Sequence, residues 1–151
     1  MELEYPPLLP PGFTDVTLDE LDRLFVEPFA ESSARRTLVS RLRALVSLLQ
    51  EIGLECDIWI NGSFATQKPD PGDIDVVIFS DDPSLNRLTV SQRERFRKII
   101  SKKDSTRYRF DCDVSYCDRG NEGQRSYWRG WFGFTEQENV KGIARLRLVA
   151  P

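Results

Sequence analysis

Residues 59–76 read Trp59-Ile60-Asn61-Gly62-Ser63-Phe64-Ala65-Thr66-Gln67-Lys68-Pro69-Asp70-Pro71-Gly72-Asp73-Ile74-Asp75-Val76. The approach, Cys56-Asp57-Ile58-Trp59-Ile60, alternates with Ile58 and Ile60 on one face and Trp59 on the other, the pattern of a strand. Asn61-Gly62-Ser63 is a turn signal, and Ser63 is placed to cap a short helix from Phe64. Backbone N–H groups at such a helix start, with the helix dipole behind them, favour an anion. Glycine has no Cβ, so the backbone there can approach a phosphate closely. After the Pro69–Gly72 loop, Asp73 to Phe79 is β-branched and apolar and reads as a buried second strand. Residues two apart on a strand face the same way. Asp73 and Asp75 therefore project side by side, with Ile74 and Val76 turned into the core. Two carboxylates on one face repel each other unless a cation lies between them. Mg²⁺ (or Mn²⁺) takes oxygen ligands and bridges to substrate phosphates.

Upstream, the prolines Pro6, Pro7, Pro10 and Pro11 set an extended lead-in. Thr17 and Glu20 match a capping box that opens a helix over about 18–26, ended near Pro28. Ser32 or Ser33 caps a second helix. Its Leu38, Leu42, Leu45, Leu49 and Ile52 share one face, and Gly53 stops it. Arg35, Arg36, Arg41 and Arg43 fall mostly on the solvated remainder of that helix, with a phosphate or partner patch as the alternative. Downstream, Ser91-Gln92-Arg93-Glu94 reads as a capping box for a helix to about Ser101. Tyr108 to Tyr116 alternates as a third strand carrying Asp111 and Asp113. Arg125 to Trp131 suits a short helix, and Ile143 to Val149 a half-solvated strand.

The chain of 151 residues carries a net charge of −3 and no histidine. Its length bounds it to about one domain. The acidic balance argues against a protein whose main task is to coat nucleic acid. Without histidine, Ser-His-Asp, Cys-His and histidine-zinc chemistry are excluded within the chain. The cysteines Cys56, Cys112 and Cys117 suggest reduced, buried thiols rather than a disulfide framework. No stretch approaches the roughly 18 apolar residues of a membrane span. The N-terminus lacks a basic signal-peptide region. A cytoplasmic location without membrane partners is the expectation.

Gly62-Ser63 followed by Asp73-Ile74-Asp75 resembles the signature of the DNA polymerase β-like nucleotidyltransferase superfamily. The wider run NGSFATQKPDPGDIDVVI is similar to small stand-alone bacterial nucleotidyltransferase-like proteins. The resemblance implies an α/β (α+β) mixed sheet with flanking helices. The layout is an extended lead-in over 1–16 and a single nucleotidyltransferase-like domain over 17–151. It implies that Asp73, Asp75 and a third carboxylate hold Mg²⁺ (or Mn²⁺), and that the third can act as base toward an acceptor hydroxyl. Asp113 is preferred as the third acid because it leads into the strand's apolar continuation; Asp111 is the fallback. Gly62, Ser63 and Lys68 would bind the nucleotide, although Lys68 also fits a solvated loop, and Thr66 and Lys141 divide in the same way. The aromatic cluster Trp128, Trp131, Phe132 and Phe134 reads either as core or lid packing or as a base-stacking or partner surface.

The implied activity moves a nucleoside monophosphate from an NTP to a protein or RNA hydroxyl. Members of this kind resemble components of toxin–antitoxin and phage-defence pairs, which would give the chain a cognate partner protein. The chain has little room after residue 117 for the helical domain that many nucleotidyltransferases add. That leaves as alternative a catalytically silent module that binds and regulates a partner.

Overall fold

The protein is described by a computed structural model covering residues 4–29, 33–135, 137 and 139–149. Five strands, β1 (Gly12–Asp15), β2 (Cys56–Asn61), β3 (Ile74–Ser80), β4 (Cys112–Asp118) and β5 (Gly142–Leu148), form one sheet in the order β1-β5-β2-β3-β4. The helices among the described residues are α1 (Leu21–Phe25), α2 (Ser33–Ile52), α3 (Asp82–Asn86), α4 (Val90–Ser101), α5 (Lys103–Phe110) and α6 (Glu122–Phe132), with three short 3₁₀ turns. The sheet is mixed: β2 pairs antiparallel with β3 and β5, while β3–β4 and β1–β5 are parallel. A parallel pair needs a crossover, and α3, α4 and α5 supply it between β3 and β4. This is a mixed α/β single domain.

The pleat sorts each strand's residues between two layers. Ile58, Ile60, Ile74, Val76, Ile78, Val114, Ala144 and Leu146 join the main core, beneath α1, α2, α4 and α5. The leucine stripe of α2, Leu38, Leu42, Leu45 and Leu49 with Ile52, is buried there as its spacing requires. Gly53 follows with φ 87°, the left-handed stop of a helix C-terminus. The opposite face carries a smaller cluster, Trp59, Val77, Phe79, Cys117 and Ile143, covered by Phe132 of α6. The three cysteines are buried as free thiols, and burial pushes Cys56 and Cys112 up to about 12. No helix among the described residues is long and apolar enough to cross a membrane.

Several local expectations shift. The described part of the lead-in, residues 4–16, ends in the sheet, because Gly12–Asp15 pairs with β5 and Leu9 is buried. The helix expected over 18–26 divides into a 3₁₀ turn, Leu18–Glu20, and α1; Glu20 does accept from the Thr17 N–H at 3.0 Å. Of the two serines offered as caps, Ser33 is the first residue of α2 and Ser32 lies outside the described residues. The capping box of α4 is Thr89 with Gln92, not Ser91 with Glu94. The strand expected from Tyr108 begins at Cys112, and Tyr108–Phe110 ends α5. Alternation there mimics a strand, but the buried residues Thr106 and Phe110 are four apart, one helical turn. Asp111, at φ 51° and ψ 30°, breaks the helix and starts the strand.

Candidate functional site

Register brings the acids of three segments to one end of the sheet. Asp75 of β3 lies opposite Asn61, the residue before the Gly-Ser turn, and opposite Asp113 of β4. All share the face that carries Trp59, Val77 and Cys117, because each lies an even number of residues away along its strand. Asp73 stands two residues before Asp75, just ahead of β3. Burial raises the pKa of Asp75, and the negative charges of Asp73 and Asp113 raise it further. Asp111 does not join them. Its left-handed backbone turns it off the strand, and it pairs with Arg41 of α2 at 3.1 Å. Asp113, not Asp111, is the third acid of this constellation.

The Gly62 turn is shaped around Asp75. Gly62 sits at φ 85° and ψ −164°, and a Cβ there would run into the Asp75 carboxylate. The buried Asn61 side chain anchors the turn: its amide donates to the Gly142 carbonyl at 3.1 Å and its oxygen accepts from the Gly62 N–H at 2.8 Å. In place of a helix capped by Ser63, the chain makes a 3₁₀ turn of three residues, Ser63–Ala65, with Gly62 at its N-cap. Three residues are too few for an appreciable macrodipole. An anion here would have to be held by the Ser63 hydroxyl, the N–H groups that open the turn and the lysines of the cleft, Lys68 and Lys141.

Arg35, expected on a solvated face, is fully buried and holds this loop in place. Its guanidinium donates to the carbonyls of Phe25 (3.1 Å), Phe64 (2.9 Å), Thr66 (2.6 Å) and Lys68 (2.7 and 3.1 Å). Phe29 lies 3.8 Å from its carbon centre. Burial lowers its pKa to about 10, so it stays charged at neutral pH. Sequence reasoning missed both Arg35 and Asn61. The signal was faint for Arg35: counting back from Leu38 and Leu42 by three and seven puts it on the leucine face.

Gly62, Ser63 and Asp75 open into a cleft of about 1260 Å³ that is also lined by Lys68, Thr66, Lys141, Trp131, Phe132 and Phe134. Of the aromatic cluster read in the sequence, Phe132 is core, Trp128 packs partly buried against it, and Trp131 and Phe134 are exposed.

The donor set suits a hard divalent cation, since the acids offer only oxygen and Asp75 sits in like-charge company with Asp73 and Asp113. Asp73 is bridged to Arg107 at 2.7 Å and Asp113 to Lys103 at 3.7 Å. Among the described residues no three His, Cys, Asp or Glu side chains are grouped closely enough to hold a metal ion without adjustment. Loading would ask Arg107 and Lys103, both exposed, to swing aside.

A raised carboxyl pKa makes Asp75 a cost to folding at neutral pH. The folded state holds its proton more tightly than the unfolded chain, so stability falls as pH rises from the unfolded value through the folded one. Asp75→Asn, measured by urea unfolding in EDTA, is expected to stabilise the protein by about 0.5–2 kcal/mol at pH 7 and to lose that advantage below about pH 4. A variant less stable than the parent at pH 7 would show that the Asp75 charge is already balanced.

The model of a family of unknown function, DUF6932, matches residues 1–147. No curated protein and no solved structure matches the chain.

Proposed function

The chain belongs to the DUF6932 family, and from the geometry of its site we propose that it is a metal-dependent nucleotidyltransferase that moves a nucleoside monophosphate from an NTP to a hydroxyl of a protein or RNA. The observation that carries this reading is the register Asn61–Asp75–Asp113, which sets the Gly-Ser turn beside two carboxylates, with Asp73 near enough for its charge to act on Asp75. Asp73, Asp75 and Asp113 would hold Mg²⁺ (or Mn²⁺), which supplies charge neutralisation at the transferred phosphoryl group when bound. Gly62 lets the backbone approach the phosphates, and Ser63 donates its hydroxyl to them. Asp113, on the edge strand and half exposed, is open to an acceptor and takes its hydroxyl proton. The acceptor oxygen bonds to the α-phosphorus, and the bond to pyrophosphate breaks.

The test is incubation with each α-labelled NTP, Mg²⁺ or Mn²⁺ and cell lysate. A labelled macromolecule is expected, reduced at least about 100-fold in Asp75→Asn, as for loss of a group acting in the transition state. No label with any NTP, or undiminished label in Asp75→Asn, refutes the enzyme.

One observation favours a second reading, a silent module that binds and regulates a partner protein. Arg107 and Lys103 already pair with Asp73 and Asp113, where a metal ion would bind. A stable partner recovered from lysate equally by the parent and by Asp73→Asn/Asp75→Asn, together with no labelling, is the outcome it expects.

A further inference from the structure

The cleft beside Asp75 has an aromatic side that the phosphate and metal chemistry leaves unused. Trp131 is 66% exposed and Phe134 48%, large apolar side chains held toward solvent at the end of α6 and just beyond. Both line the same cleft as Gly62, Ser63, Lys68 and Lys141. Tyr127, one helical turn earlier, lies parallel to Trp131, with 9° between the ring planes and 6.4 Å between centroids. The two exposed rings thus present parallel aromatic faces on one side of α6. Indoles that serve only the fold are turned inward, as Trp59 is at 3% exposure. The cleft's volume of about 1260 Å³ exceeds the roughly 300–1,000 Å³ of ordinary small-molecule pockets, so it has room for a nucleotide and an approaching acceptor group.

We propose that Trp131 is the platform on which the base of the donor nucleoside triphosphate stacks, with its phosphates toward Gly62-Ser63, Lys68 and Lys141. The proposal rests on the nucleotidyltransferase reading and deepens it by assigning the nucleoside end of the substrate to α6. Apolar and cationic walls in one cleft match the two ends of a nucleotide, a flat π surface and a polyanion. Because a π-face accepts any base, stacking strength rather than hydrogen-bond readout sets the preference, and the larger purine rings are favoured.

The experiment is calorimetric titration of the Mg²⁺ complexes of ATP, GTP and inorganic tripolyphosphate into the full chain, Trp131→Ala and Trp131→Phe. Trp131 is exposed, so neither substitution threatens the fold. ATP and GTP are expected to bind about 5- to 150-fold more tightly than tripolyphosphate, the range that one stacked base contributes. Trp131→Ala should bring them down to the tripolyphosphate level without weakening tripolyphosphate itself, and Trp131→Phe should keep most of the advantage. If tripolyphosphate binds but the nucleotides bind no tighter, or Trp131→Ala leaves ATP and GTP unchanged, the platform is refuted and the phosphate site stands. Binding of none of the three refutes both.

Discussion

Replacing Arg35 with alanine is expected to destabilise the protein by about 3–5 kcal/mol, the cost of stripping a buried charged donor from its acceptors. The buried carbonyls of Phe25, Phe64 and Thr66, and the part-buried one of Lys68, would lose their shared partner. One side chain changes little of the surface exposed on unfolding, so the slope of urea unfolding should hold while its midpoint falls. Arg35→Lys is expected to recover little. An ammonium offers three donors from one point and does not span acceptors spread along α1 and the loop over 62–68. Because three of the four carbonyls belong to the loop that bears Ser63 and Lys68, the proposed nucleotide binding should weaken even where the variant stays folded. A midpoint shift worth less than about 1 kcal/mol would mean that the loop closes without its clamp.

Gly62→Ala carries the second large effect, and it divides into two separable parts. The backbone at φ 85° and ψ −164° lies in a region essentially reserved for glycine, a strain of about 1–3 kcal/mol for alanine. The new Cβ also meets the Asp75 carboxylate. Together these are expected to cost about 2–4 kcal/mol and to displace Asp75 from the acids beside it. Coupling with Asp75→Ala measures the second part alone. The double variant should recover about 0.5–3 kcal/mol relative to the sum of the single changes, while the backbone strain remains. Strict additivity in urea unfolding would mean that the Gly62–Asp75 approach adds nothing to the backbone strain.

These residues differ in how far the sequence exposes them. Gly62, Asp73, Asp75 and Asp113 are legible because turn chemistry and a period of two are local properties. The leucine face of α2 and the buried strands β2 and β3 are legible for the same reason, as is the existence of β5, though it is more buried than the half-solvated strand expected there. The choice between Asp111 and Asp113 is not local. It turns on α5 extending to Phe110, which forces Asp111 into a left-handed break before the strand starts. Arg35 is hidden because its acceptors are backbone carbonyls from 10 to 33 residues away, and no side-chain pattern records them. Asn61 is hidden similarly, since its partner Gly142 is 81 residues distant. The pairing of Gly12–Asp15 with β5 joins segments still further apart in the chain. Short-range spacing names the chemistry here, and long-range backbone contacts decide which of the named groups meet.

The place of β5 between β1 and β2 carries a consequence for biosynthesis. Of the five strands it is translated last, yet it takes an interior position. A nascent chain displaying β1 to β4 therefore keeps a vacant lane in its sheet, with β1 lacking its neighbour and β2 a temporary open edge prone to wrong pairing. Arrival of Gly142–Leu148 fills the lane, and only then does the Asn61 amide find the Gly142 carbonyl that steadies the Gly62 turn. The turn at Gly62 and the cleft beside it are therefore complete only once Gly142–Leu148 has left the ribosome and paired between β1 and β2.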